Sequence, residues 1–263
     1  MRTIYKHEMK AYVKSLFIWS VCVGGMGFAC ILLFSSMQVD MEEMAEGFAS
    51  MGAFADAFGM SRLSIGTLTG FYATEVGTIH SLGGAMFAAV ISMNMLSKEE
   101  DGHTGEFLFS LPITRKKVVL SKWCAIVTHI VLFNVLCVGV YAAGVAILGE
   151  DISVKEFMVY HVMQTFMQLE LGAVCYALSA FMKKNKLGLG LGMVLLFYAY
   201  DLMARVIPDL ADYKIISPFS YANAADIFST GEISAKAAVL GAVVLLIGVG
   251  VAFWGYVKRD LAS

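Results

Sequence analysis

Residues 15–37 read SLFIWSVCVGGMGFACILLFSSM, a run without one charged side chain. A helix that rises about 1.5 Å per residue needs roughly 20 such residues to cross a bilayer. This run is long enough. Five more runs of the same kind follow, at 70–97, 119–149, 157–182, 187–207 and 237–257. The run at 70–97 carries Glu75 near its start, that at 119–149 carries Lys122 at its inner end, that at 157–182 carries Glu170, and that at 187–207 carries Asp201 and Arg205 near its end. Helices are expected because lipid cannot satisfy free backbone groups. The two-residue alternation of an outer-membrane barrel is absent.

Composition says the same. The chain is 59% hydrophobic and only 15% charged, where a soluble domain is nearer half apolar and a quarter charged. Too few polar residues remain to cover a water-facing surface. A net charge of -2 and the lack of any basic block exclude nucleic-acid binding. The five cysteines, Cys22, Cys30, Cys124, Cys137 and Cys175, lie inside apolar runs and form no C-x-x-C pair, so they read as small packing residues. The N-terminal stretch does not read as a cleavable signal, since its apolar run is long enough to span.

Lysine and arginine set the expected orientation. With the N-terminus in the cytoplasm, the inner segments hold Arg2, Lys6, Lys10, Lys14, Lys98, Arg115, Lys116, Lys117, Lys122, Lys183, Lys184, Lys186, Lys258 and Arg259. The outer side keeps Arg62, Lys155, Arg205, Lys214 and Lys236. Fourteen against five places both termini inside and calls for an even number of spans. The fold class expected is therefore all-α: a single polytopic membrane domain over 1–263, with six transmembrane helices.

Three segments outside the spans carry information. In 2–14, Tyr5, Met9, Tyr12, Val13 and Leu16 form one helical stripe beside four basic residues, as suits a helix lying in the headgroup layer with its lysines snorkelling. In the external segment 38–69, Met41, Met44, Phe48, Met51, Ala55 and Phe58 recur at spacings of three and four. They predict an amphipathic helix packed on the membrane or on a second subunit. Thioether sulfur can bind Cu(I), but helical spacing more often means packing, and no metal is assigned.

The third segment, 98–118, joins the second and third spans. Residues 97–123 read SKEEDGHTGEFLFSLPITRKKVVLSKW. Acidic residues end one span, Gly102 and Gly105 break the helix, and Glu106 to Leu111 makes a short amphipathic piece. Pro112 stops it. Such a piece facing the cytoplasm suits a soluble partner. This stretch closely resembles the permease subunits of the type-2 ABC transporter family, which carry an E-E-x-x-G-T-x-E-x-L-L-S-x-P-x-x-R-x-x-x-x-x-K pattern at this place. Glu99, Glu100, Thr104, Glu106, Leu108, Ser110, Pro112 and Arg115 stand at matching positions, Lys122 stands one residue past the pattern's lysine, and His103 replaces the glycine. Residues 68–75 (LTGFYATE) resemble the family's entry to its second span, and 216–221 (ISPFSY) its segment between spans five and six.

The resemblance implies six spans, an amphipathic helix before the first, and a cytoplasmic coupling helix between spans two and three. It implies an ATPase-coupling set of Glu99, Glu100, Gly102, Thr104, Glu106, Leu108, Leu111, Pro112, Arg115 and Lys122. It further implies an exporter in the cytoplasmic membrane, built from two permeases, identical or paralogous, and separate ATP-binding subunits that hold ATP and Mg. The chain itself has no G-x-x-x-x-G-K-[ST] loop. Gly188-Leu189-Gly190-Leu191-Gly192 lacks the lysine and lies inside a span, where small faces suit helix packing.

Polar groups at membrane depth cost ~2.5–3.5 kcal/mol each when charged. Glu75, Gln168, Glu170, Asp201 and Arg205 are the candidates for a translocation path. Asp201 and Arg205, four apart, can pair on one helix face, and His80 is expected to be a packed, hydrogen-bonded histidine. No nucleophile–base constellation and no H-E-x-x-H motif occurs, so no catalytic residue is assigned. Two alternatives stay open: a membrane-embedded enzyme or an ion-driven secondary transporter, either using Glu170.

Overall fold

The first helix, α1, runs unbroken from Arg2 to Ala49. The computed structural model describes residues 1–102 and 113–258. Within α1, Leu16, Val23, Gly24, Gly27, Ile31 and Phe34 are buried at helical spacing and Phe17, Ile18 and Val21 are exposed. This narrow stripe packs along α5 (Arg115–Leu148). Close approach comes from Gly27, where a methyl group would stand 2.5 Å from the Tyr141 ring.

Two expectations about this region are corrected. Residues 2–14 are helical but form no separate helix; they are the first turns of α1. Their buried positions are Ile4 and Glu8, while Val13 is exposed. The segment 38–69 is likewise not one amphipathic helix. Its first part completes α1, the chain turns at Ser50–Gly52 with Gly52 at φ 55°, and a short α2 (Ala53–Phe58) follows. Met41, Ala45, Phe48 and Phe58 then pack against Ala55, Met60 and Ile65, so much of the seam folds onto itself. Met44 and Met51 point outward.

Helix α3 (Leu68–Met93) starts at Thr67, whose hydroxyl accepts from the Gly70 amide at 3.1 Å. It contains a π-helical stretch at Tyr72–Val76. A single turn, α4 (Lys98–Asp101), and then α5 follow. Since α5 begins at Arg115, residues 115–118 belong to it and not to the loop. Gly149, at φ 70°, ends α5. Helix α6 (Val154–Ser179) packs against α3, α5 and α9 (Ala235–Lys258). Helix α7 (Leu187–Val206) stops before Pro208. Two 3-10 stretches, Pro208–Ile216 and Pro218–Tyr221, and the short α8 (Ala224–Thr230) lead into α9.

No strand occurs among the described residues. Five helices, α1, α3, α5, α7 and α9, are long and apolar enough to cross a membrane. Helix α6 is 26 residues long, but His161, Gln164, Gln168 and Glu170 dilute its apolar character. All four are buried by neighbouring helices. The faces turned outward elsewhere are apolar, with Leu196, Leu246, Ile247 and Trp254 exposed. That is the surface of a chain solvated by lipid.

Candidate functional site

Contacts gather the charged segments at one end of the bundle. Asp101 accepts from the Asn185 amide at 3.3 Å, and Arg115 Nη1 donates to the Val257 carbonyl at 3.3 Å. The Leu96 amide donates to Ser179 Oγ at 2.9 Å. The start of α1, both flanks of 103–112, the α6–α7 connection and the end of α9 therefore meet.

At the centre lies Lys122, fully buried on the first turns of α5. Its Nζ donates to Glu99 Oε1 at 2.5 Å, to Glu8 Oε1 at 2.9 Å and to the Met95 carbonyl at 2.7 Å. All three hydrogens of the ammonium are thus used. Glu8, buried on α1, also pairs with Lys98. Lys98 Nζ stands 5.1 Å from the centre of the Tyr12 ring. Burial pushes the Glu8 carboxyl up, but Lys122 and Lys98 outweigh it and hold it below the usual carboxylate range. Lys98 is held below the usual lysine range by burial and then by the Lys122 ammonium, which Glu8 and Glu99 only partly offset.

The structure thus joins two residues singled out by the sequence, Glu99 and Lys122, and adds Glu8. A carboxylate on the Ile4–Glu8–Tyr12–Leu16 row was the available signal, since a charge on an apolar stripe needs a partner. Gly102 ends α4, Glu100 lies beside it, and Arg115 begins α5. Thr104, Glu106, Leu108, Leu111 and Pro112 lie outside the described residues. Chemically the cluster is a clamp. It ties the head of the 103–112 connection to α1 and α5 through charge-assisted bonds, which are shorter and stronger than neutral ones.

The intramembrane candidates do not form one path. Gln168 faces α5, where Asn134 Nδ2 donates to its Oε1 at 2.7 Å; Asn134 Oδ1 also meets His80 Nε2 at 3.0 Å. His80 is packed and hydrogen-bonded as expected. Glu170, two residues on from Gln168, faces α9 and accepts from the Tyr221 hydroxyl at 2.6 Å. Glu75 is exposed on the π-helical stretch of α3. Asp201 and Arg205 do pair, at 2.8 Å, and belong to a network at the opposite end of the bundle. There Asp226 receives Arg62 at 2.5 Å, Lys214 at 2.8 Å and Arg205 at 3.2 Å. Burial raises the Asp226 carboxyl, and Arg205, Lys214 and Arg62 bring it below its ordinary range. Sequence reading missed Asp226, although three of the five cations expected on the outer side converge on it. Among the described residues no group of three or more His, Cys, Asp or Glu is placed to hold a metal ion.

The family described as ABC-2 family transporter protein matches residues 2–261, nearly the whole chain. No curated protein matches.

Proposed function

The chain belongs to the ABC-2 family of transporter proteins, and on that premise we propose that it is the permease of an exporter driven by a separate ATPase. The family makes it a multi-pass membrane component of an ABC transporter, whose partner is an ABC ATP-binding protein. The finer reading is ours. Six spans cross the cytoplasmic membrane with both termini inside. Two permeases, identical or paralogous, form the path, and the partner subunits hold ATP and Mg. Residues 98–118 receive the ATPase.

The observation that carries this reading is the Glu8–Lys122–Glu99 clamp. A connection pushed by a soluble partner moves the membrane helices only if its base is stiff. Here the base is tied to the first and third spans by buried ion pairs. Motion of the connection therefore displaces α1 and α5 together instead of being lost in a loose turn.

The test is purification of the tagged chain from native membranes in mild detergent. A stoichiometric soluble protein with a phosphate-binding loop is expected to accompany it. Deleting 103–111, or Glu106→Arg alone, is expected to remove that protein and leave membrane insertion intact. Wild-type retention of the partner by both variants would overturn the coupling assignment.

A further inference from the structure

A cavity of about 230 Å³ lies between α6, α7, α9 and the 3-10 segment around Ser217. Its wall is apolar, with Leu171, Val174, Leu240 and Val244 among the lining side chains. Among its lining residues only Glu170 is ionisable as an acid of ordinary strength, and none is basic. Glu170 is 4% exposed, and no described lysine or arginine pairs with it. Its one described hydrogen bond comes from Tyr221.

The space is built, not left over. A methyl group on Gly241 of α9 would stand 2.6 Å from Glu170 Oε2 and 3.0 Å from the Tyr221 ring. Glycine there admits both groups to the cavity. Ser217 Oγ donates to the Phe197 carbonyl at 3.1 Å and fixes the 3-10 segment that forms the opposite wall. Phe197 and Tyr221 give the cavity two aromatic rings.

We propose that this cavity binds the ammonium-bearing end of a hydrophobic amine, with Glu170 as its counter-ion. The proposal rests on the exporter reading and names the class of its cargo. A carboxylate buried without a cation is costly, and a bound ammonium relieves that cost. Aromatic faces favour the same charge, and the apolar wall favours the alkyl or aryl arm beside it. At about 230 Å³ the cavity is smaller than the ~300–1,000 Å³ of ordinary ligand pockets. It therefore takes the head of the molecule while the rest extends into lipid. The ammonium can belong to a free amine or to a lipid headgroup.

The experiment uses the full chain in phosphatidylglycerol nanodiscs, without nucleotide or ATPase, and tritiated 2-phenylethylamine as probe. Counts from empty discs are subtracted. Saturable binding is expected, displaced by hexylamine and not by 1-hexanol. Glu170→Gln is expected to weaken it at least tenfold. Leu240→Trp, which fills the cavity and keeps the carboxylate, is expected to do the same and decides the matter where Glu170→Gln does not fold. Displacement by added phosphatidylethanolamine assigns the site to a lipid headgroup; its absence assigns it to a free amine. Either supports the ammonium site. Unchanged binding in Leu240→Trp, equal displacement by hexanol, or no saturable binding overturns it. Such a failure leaves the exporter reading standing, because that reading is tested separately, by whether an ATPase partner accompanies the chain.

Discussion

Glu8 shows what a single buried charge does at the clamp. Its carboxyl lies below its ordinary value of 4.5 because two lysines face it. A carboxylate of this kind adds stability that is complete above pH 4.5 and drains away as pH falls through its folded value. Replacing it by glutamine leaves two ammonium groups without their shared partner. Removing one member of a buried pair costs ~3–5 kcal/mol, and the amide oxygen still accepts one bond, so the low end is expected. Thermal unfolding in detergent should show Glu8→Gln well below wild type at pH 7, with the gap closing as pH drops below 4.5. A gap that stays constant with pH would mean that Glu8 acts through packing and not through charge. Half of this clamp was legible in the sequence. Glu99 and Lys122 lie 23 residues apart within one recognisable motif. Glu8 meets Lys122 across a separation of 114 residues, and only the fold brings them together. Asp226 was hidden for a different reason: Lys214 and Arg205 lie only 12 and 21 residues away, but no motif joins them, and Arg62 comes from 164 residues away.

The helices themselves were largely legible, because hydropathy reports where lipid is. Their ends were less so. Charged flanks mark where solvent begins, not where the backbone leaves the helix. Between Met37 and Ala49 the sequence is rich in Met, Glu and Ala, all good helix formers. Nothing there stops α1 until the turn at Gly52. How closely two helices approach was also invisible, since a glycine reads the same on a lipid face and in a contact. On α9, a methyl group at Gly248 would lie 3.0 Å from the backbone of Ala173 on α6, whereas one at Gly250 would meet nothing within 4 Å. Backbone cannot yield as a side-chain tip can. Gly248→Leu is therefore expected to lower stability by about 1–3 kcal/mol, the usual cost of overpacking, while Gly250→Leu stays near wild type. Equal unfolding temperatures for the two would show that α6 and α9 are not in close contact in the membrane.

The path of the whole chain turns on α6. With its buried polar residues counted, it is less apolar than the five helices long and apolar enough to cross. Its surroundings argue that it crosses as well. Near its start, Tyr160 donates to the Gly77 carbonyl at 2.9 Å, and α8, which carries Asp226, packs beside it. At its end, Ser179 meets Leu96, next to the clamp. The helix runs the full depth of the bundle, with its polar residues facing protein and not lipid, where a low hydropathy carries little penalty. The two readings assign opposite sides to the same residues. If α6 crosses, the 180–186 connection returns to the cytoplasm and residues near 209 lie outside. If it does not, the 180–186 connection stays outside and 209 lies within. Single cysteines at Lys184 and Asp209, in a chain with its five native cysteines changed to alanine, separate the two with a membrane-impermeant maleimide. Asp209→Cys is expected to react in intact cells and Lys184→Cys only after permeabilisation. The reverse pattern would remove α6 from the spans, put the C-terminus outside and separate the end of α9 from the clamp that Arg115 joins it to. Labelling and the Arg115–Val257 contact thus test one geometry from two directions: if the start of α1 and the end of α9 both lie at the clamp, the labelling must give an even number of crossings.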